Sequence, residues 1–380
     1  MEMKTSAQIK RALTLKCARA GVPVSGTFEL TPRCNLGCRM CYVRLTPKEM
    51  EPIGRERTAA EWLAIAKEAK EAGLVFLLLT GGEPTLREDF IEIYEGLAGM
   101  GLSISINTNG TLFDEKLKAV FHRCPPAQVN ITLYGTSEED YDGLCGNAKA
   151  YHNVMDAIEW IQKENILLHL NATMTPSNID KWQELEAFAK SRDLELRMNT
   201  YCFPPSRRDA CPGFERLEPE QAGELSVLDV LYREGIEEVI KRKNGLIQQL
   251  NSCKLDEGDP MQCMAAKSQF WVNWDGTMVP CGMLKCPKVK LYEMEFTKAW
   301  EALREEVASI RLCPECAGCP DKQTCMNCAA VTYTETGRFD GKPEYMCRMN
   351  QAYRQALDKY STEIIEENKL ISTKEKEENI

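Results

Sequence analysis

Residues 26–42 read GTFELTPRCNLGCRMCY: a short β-rich apolar run followed at once by Cys34, Cys38 and Cys41. The run has the length and composition of a buried strand. The cysteines that follow are spaced C-x3-C-x2-C, with one residue too many in the first gap for a zinc knuckle. Three thiols so close together must hold something, and three is one short of the usual four-ligand site.

Outward from this stretch, strand-like and helix-like patterns alternate. GTFELT (26–31), LVFLLLT (74–80), LSISINT (102–108), QVNITLY (128–134), ILLHLNAT (166–173) and LELRMNT (194–200) are the predicted strands. Helical patterns fall near 58–72, 88–100, 112–121, 150–164 and 178–191. In the first, Trp62, Leu63, Ile65, Ala66 and Ala69 share a face. Such alternation predicts a parallel sheet with crossover helices. Six units are too few for a closed eight-stranded barrel, so the expected fold is α/β, a partial (β/α)6 TIM barrel. Functional residues then belong at the C-terminal ends of the strands, where the cysteine triplet stands. The predicted organisation is an N-terminal extension (1–24), the barrel (25–201), bridging helices (202–255), a cysteine-rich module with little periodic structure (256–350) and a charged helical tail (351–380).

The net charge of −10 argues against a nucleic-acid footprint, which needs a clustered basic face. No apolar run approaches the ~18 residues of a membrane span, and the N-terminus lacks a signal-peptide core. A soluble cytoplasmic protein is expected. In that reducing compartment eighteen cysteines point to metal ligation or thiol chemistry rather than disulfides. The three histidines, His122, His152 and His169, lie away from the cysteine pairs, so iron–sulfur centres fit better than mixed Cys/His zinc sites.

The triplet after the first strand resembles the radical S-adenosylmethionine (SAM) superfamily. That resemblance implies a [4Fe–4S] cluster on Cys34, Cys38 and Cys41, with the open iron chelated by SAM. It also explains why there are three thiols. GGEP (81–84), after the second strand, matches the family's SAM-amino-binding turn, with Gly81 and Gly82 allowing close approach and Glu83 accepting from the ammonium. By the same resemblance Asn109 in NTNG (107–110), Tyr134, Asn171 and Arg197 are SAM contacts. The family usually has an aromatic residue before the third cysteine; here Met40 stands there and Tyr42 follows Cys41, both expected near the adenine.

Cys263 and Cys281 form C-x12-G-x4-C around Gly276, and Cys316, Cys319, Cys325, Cys328 and Cys347 read C-x2-C-x5-C-x2-C…C. These resemble the SPASM extension of radical SAM enzymes, except that the family usually has x3 in the last gap. The resemblance implies two auxiliary [4Fe–4S] clusters, three in all, on Cys263, Cys281 and Cys328 and on Cys316, Cys319, Cys325 and Cys347. The fourth ligand of the first set is Cys253, Cys286, Cys313 or an open position. Cys202 and Cys211 flank a loop after the sixth strand, where Arg207 and Arg208 could grip an acidic peptide. The implied function is oxidative modification of a peptide or protein side chain, with a flavodoxin or ferredoxin as reductant. The short N-terminal extension puts any leader-peptide-binding domain on a separate chain. Gly282 stands where sulfatase maturases carry a catalytic acid, which counts against that activity. The alternative is an oxidase or decarboxylase of a small molecule such as a tetrapyrrole side chain or sugar alcohol.

Overall fold

A computed structural model describes residues 6–205, 213–245, 260–261, 263–322 and 324–377; side chains are described from residue 8 to 362 within these ranges. Its strands β1 (Ser25–Glu29), β2 (Phe76–Thr80), β3 (Ser103–Thr108), β4 (Gln128–Thr132), β5 (Leu168–Thr173) and β6 (Glu195–Asn199) are parallel neighbours in that order. Three more strands join the other edge. β7 (Gln269–Val272) pairs parallel with β1, and β8 (Thr277–Val279) and β9 (Val289–Lys290) follow antiparallel. The predicted six-unit partial barrel is therefore present, lengthened at its first strand.

The helices of two turns or more among the described residues are α1 (Ser6–Ala20), α2 (Ala59–Glu71), α3 (Phe90–Gly99), α4 (Glu115–Arg123), α5 (Glu138–Cys145), α6 (Ala150–Lys163), α7 (Trp182–Ser191), α8 (Pro219–Glu234), α9 (Ile236–Lys243), α10 (Phe296–Ser309), α11 (Ala329–Thr336) and α12 (Glu344–Glu377). Local chemistry sets their ends. Thr58 and Glu61 form a reciprocal capping box that starts α2 and satisfies two otherwise orphaned N–H groups. Gly235, at φ +83, separates α8 from α9.

Side-chain alternation along β1 sorts the two faces of the sheet. Phe28 rests on Trp62 of α2, with ring centroids 4.8 Å apart, so it faces the helices. Gly26 shares that face because a Cβ there would come within 2.4 Å of the Phe270 ring. Thr27 and Glu29 therefore point into the lumen. The register carries this inner face around the barrel: Glu29 lies opposite Thr80, Asn107 opposite Asn130, Asn130 opposite His169, and His169 opposite Glu195. These lumen residues bond to one another. Asn130 donates to Asn107 (2.8 Å), and Gln128 contacts both Asn130 (2.5 Å) and His169 Nδ1 (3.1 Å). The outer face is apolar, with Leu77, Leu79, Ile104, Ile106, Val129, Ile131 and Leu170 buried against helices.

The region after residue 256 holds more regular structure than its sequence suggests. β7, β8 and β9 have four, three and two residues, too few to show a period. The first of them pairs with β1, some 240 positions away, so no local hairpin signal marks it. One sheet thus runs across the expected boundary at 255/256. Val227 and Val230 of α8 pack with Val239 of α9 and with Ala356 and Leu357 of α12, tying the bridge to the start of the C-terminal helix.

The bridge also meets the barrel through acids. Arg233 of α8 holds Asp229 (2.8 and 3.0 Å), while Glu186 of α7 lies 3.8 Å from Arg233. Burial, then the neighbouring Asp229, raises the Glu186 carboxyl from 4.5 to about 7. A carboxyl raised on folding costs nothing below its unfolded value, and it removes stability as pH climbs from about 4.5 to about 7. Glu186→Gln is expected to flatten the fall in melting temperature across that window and to raise it at pH 7.5; thermal melts over a pH series check this.

Candidate functional site

At the end of β1 the chain enters a cysteine loop without regular structure, closed where Leu45 N–H donates to the Pro32 carbonyl (3.0 Å). Its base is a polar knot. Glu56 accepts from Thr31 Oγ1 (2.5 Å) and from two guanidinium nitrogens of Arg33 (2.8 and 2.9 Å), while Arg87 donates to the Leu30 and Arg57 carbonyls (both 2.8 Å). On its far side Gly37 N–H donates to the carbonyl of Cys145 at the end of α5 (2.9 Å).

Cys34, Cys38 and Cys41 are all half-buried. Cys34 Sγ accepts from Leu36 N (3.4 Å) and Asn109 Nδ2 (3.7 Å), and Cys41 Sγ accepts from Arg44 N (3.3 Å). Such donors are what thiolate ligands of a metal centre require around them. Burial pushes the Cys34 thiol up to about 12, with the charges of Glu83, Cys38 and Cys41 adding to the effect. Cys38 is pushed well up by Cys145 beside it and by burial. Thiols crowded together in this way ionise together only with a compensating cation, so the donor set fits an iron–sulfur cluster.

GGEP is stitched to this loop. Gly82 N–H donates to Thr31 O (2.7 Å) and Glu83 N–H to Arg33 O (2.8 Å). A Cβ on Gly81 would come within 2.4 Å of Thr31 O, and one on Gly82 within 2.3 Å of Arg33 O. The close approach that demands glycine here is to the protein's own backbone. Glu83 is fully buried and accepts from Thr85 N (3.0 Å), Thr85 Oγ1 (2.5 Å), Thr108 Oγ1 (2.8 Å) and Asn109 N (2.7 Å). Those four donors match the roughly four acceptor positions of a carboxylate. Glu83 therefore ties the ends of β2 and β3, and accepting from a ligand ammonium would require one of them to yield.

Asn109 donates to Asn35 Oδ1 (2.9 Å), and Asn35 donates to Thr111 Oγ1 (2.8 Å), so the NTNG turn also grips the cysteine loop. Tyr134 is buried, with burial and the thiols of Cys38 and Cys34 raising its phenol well above the usual value. Met40 is buried, and the Cys202 thiol lies 3.9 Å from its carbonyl. Tyr42 is half-buried. Asn171 and Arg197 face each other across β5 and β6 on the lumen side, and Arg197 donates to Glu195 (2.7 Å). The sequence reading missed Asn35, Thr111, Glu56 and Cys145. The first two sit inside or beside quoted motifs; Glu56 carries no signal of its own.

The spacing of the second cysteine field follows from a hairpin. Gly276, at φ +82, turns β7 into β8, so Cys263 before β7 and Cys281 after β8 return to the same end. Cys281 and Cys328 both pack on the cluster around Met261, Ala265 and Leu284. Cys316 lies among Cys313, Cys347 and Cys325, and Cys347 feels Cys319 and Cys313 as well. Cys313 thus sits with the second set. Cys286 contacts the Tyr333 phenol. Among the described residues, no three Cys, His, Asp or Glu side chains converge on a site for a single metal ion. Cys253, Cys211, Arg207 and Arg208 lie outside the described residues. Trp271 of β7 fills the space beside Gly282, where a Cβ would come within 2.6 Å of the indole, and donates to Glu29 in the lumen (3.2 Å).

Residues 28–189, from β1 into α7, match the family model described as the Radical SAM superfamily. That segment of the chain, the barrel from β1 into α7, is thus similar to radical SAM domains. The chain is 24% identical over 337 residues to the AdoMet-dependent heme synthase of Methanosarcina barkeri, covering 85% of this chain and 95% of that protein. It is 27% identical over 165 residues to the PqqA peptide cyclase of Bradyrhizobium diazoefficiens, covering 43% of each. Among solved structures, Streptococcus suis SuiB bound to S-adenosylmethionine superposes at TM-score 0.65 with 14% identity, covering 91% of this chain and 84% of that one. Native anSMEcpe with bound AdoMet superposes at TM-score 0.66 with 18% identity, covering 90% and 99%. These structural likenesses show a shared fold that extends over the cysteine-rich C-terminal module. Among the described residues no helix is long and apolar enough to cross a membrane.

Glu83→Gln replaces one acceptor oxygen by an NH2 group and leaves at least one buried donor unpaired, a cost of about 1–3 kcal/mol. A lower melting temperature in the variant is expected even without SAM. An unchanged melt with weakened SAM binding would instead make Glu83 a ligand group alone.

Proposed function

We propose that Cys34, Cys38 and Cys41 hold a [4Fe–4S] cluster that cleaves SAM, and that the enzyme oxidatively modifies a side chain of a peptide or protein. The observation that carries the first part is the loop itself: three half-buried thiols with N–H donors on their sulfurs, at the C-terminal end of β1 and facing two glycine-bearing turns. A cluster held by Cys34, Cys38 and Cys41 would supply the electron for reductive cleavage of SAM and so the radical chemistry directed at substrate. The chain's own residues position and shield. The stitched turns hold the loop, Met40 and Tyr42 flank Cys41 for the adenine, and Asn171 and Arg197 line the lumen for the polar end of SAM. Glu29 is a buried lumen carboxylate beside β7 that could take a substrate proton, while Trp271 bars a side chain at Gly282. The second cysteine field holds two further clusters, Cys313 being a ligand candidate there because it lies among Cys316 and Cys347.

The peptide reading is supported by likeness in fold to SuiB bound to its precursor peptide SuiA and to anSMEcpe with bound peptides, and by the PqqA cyclase relatives. A second reading, oxidation or decarboxylation of a tetrapyrrole side chain, draws on the heme synthases, which are matched over 95% and 89% of their own lengths. A flavodoxin or ferredoxin would supply the electrons in either case.

Changing Cys34, Cys38 and Cys41 together to Ala is expected to remove one cluster's iron and all 5′-deoxyadenosine formation; retention of that product would overturn the cluster assignment. For the substrate, co-expression with each short reading frame of the genomic neighbourhood is expected to yield a peptide lighter by two hydrogens. If instead only an added tetrapyrrole drives 5′-deoxyadenosine above the uncoupled background, the second reading stands.

A further inference from the structure

Three consecutive residues after the undescribed part of the bridge touch both cysteine fields. Glu215 holds the first. Its N–H donates to the Arg39 carbonyl (3.3 Å), Arg39 Nη1 donates to its Oε1 (2.6 Å), and Ser177 Oγ donates to its Oε2 (2.5 Å). Arg39 lies between Cys38 and Cys41, so Glu215 clasps the middle of the cysteine loop to the turn after β5.

Arg216 holds the second field. Its guanidinium donates twice to Glu335 (2.7 and 3.2 Å) and lies 4.0 Å above the ring of Tyr345. Glu335 is on α11, whose N-cap is Cys328, and Tyr345 stands two residues before Cys347 on α12. Tyr345 in turn donates its hydroxyl to the carbonyl of Leu217 (2.6 Å), and Leu217 is completely buried. A second tie runs parallel from the residues after β6: Tyr201 donates to Glu335 (2.7 Å), and the neighbouring Cys202 thiol meets the Met40 carbonyl (3.9 Å). A bidentate, largely buried arginine–carboxylate pair has one geometry, and losing one member leaves an uncompensated charge.

We propose that Glu215, Arg216 and Leu217 form a strap through which the cysteine-rich module sets the geometry of the first cysteine loop. They are positioning residues, acting through Arg39 and through α11 and α12. This goes beyond the choice of substrate and holds for a peptide or a tetrapyrrole alike. Its physical content is that loosening Glu335 loosens residues 36–45, although no side chain of α11 is in the loop.

The test is hydrogen–deuterium exchange of the full chain, followed in peptides covering 36–45, in Arg216→Lys and Glu335→Gln. Arg216→Lys keeps the charge and removes the fork. Exchange in 36–45 is expected to quicken several-fold in both variants, while the α2 and α3 amides stay protected. Quickening confined to 213–217 and α11 would overturn the strap. Where either variant fails to fold, Glu215→Gln cuts only the loop end. It is expected to loosen 36–45 with α11 unchanged, and unchanged exchange in 36–45 overturns the proposal. In iron-loaded protein the EPR line shape of the reduced first-loop cluster is expected to change in Arg216→Lys; an identical spectrum counts against the strap. Exchange measured without iron still reads the coupling, so failure of the cluster assignment is told apart from failure of the strap.

Discussion

The whole site depends on two backbone hydrogen bonds, from Gly82 N–H to Thr31 O and from Glu83 N–H to Arg33 O. They extend the β1–β2 pairing past the ends of the strands and into two loops that would otherwise be free to separate. Because carbonyl oxygens of residues 31 and 33 crowd the α-carbons of Gly81 and Gly82, the pairing exists only with glycine at both. Everything near the thiols is then fastened in turn. Glu83 reaches from this seam to Thr108 and Asn109, and Asn109 reaches back to Asn35 and Cys34. The result is a loop without regular structure whose three sulfurs are nonetheless preorganised.

The barrel was legible because each strand feeds a helix and the outer face is apolar at alternate positions. Leu77, Leu79, Ile104 and Ile106 carry that signal strongly. The cysteine loop and GGEP were legible as motifs, but what each residue bonds to was not. Glu83 reads as a ligand group from its motif and proves to be saturated by the protein, since partners 25 and 26 positions away cannot be inferred from spacing. Likewise Glu56 closes the base of the loop from a segment with no period, and β7 pairs with a strand far away in the chain. Gly276 was read as a motif position; its physical reason, a positive φ in the β7–β8 turn, needed the fold.

The division between barrel and cysteine module is weaker than composition implies. One sheet passes through it, and Trp271 links a lumen carboxylate to the residue after Cys281. The chain order of the two parts also lets a bridge segment lie across both. Its buried pair, Arg216 with Glu335, would cost about 3–5 kcal/mol to break by removing one member, enough to bear on how the parts sit.

The sheet has grown only beside β1, so β6 ends the hydrogen-bonded order of the described strands. A terminal strand offers its peptide groups to any extended chain that comes near. Here that rim carries Glu195 and Arg197, both about half exposed and paired with each other at 2.7 Å. Charged side chains on such a rim discourage indiscriminate stacking of one molecule on another. Among the described strands that end of the sheet is thus guarded by charge, and an extended segment reaching it meets charge before it meets backbone.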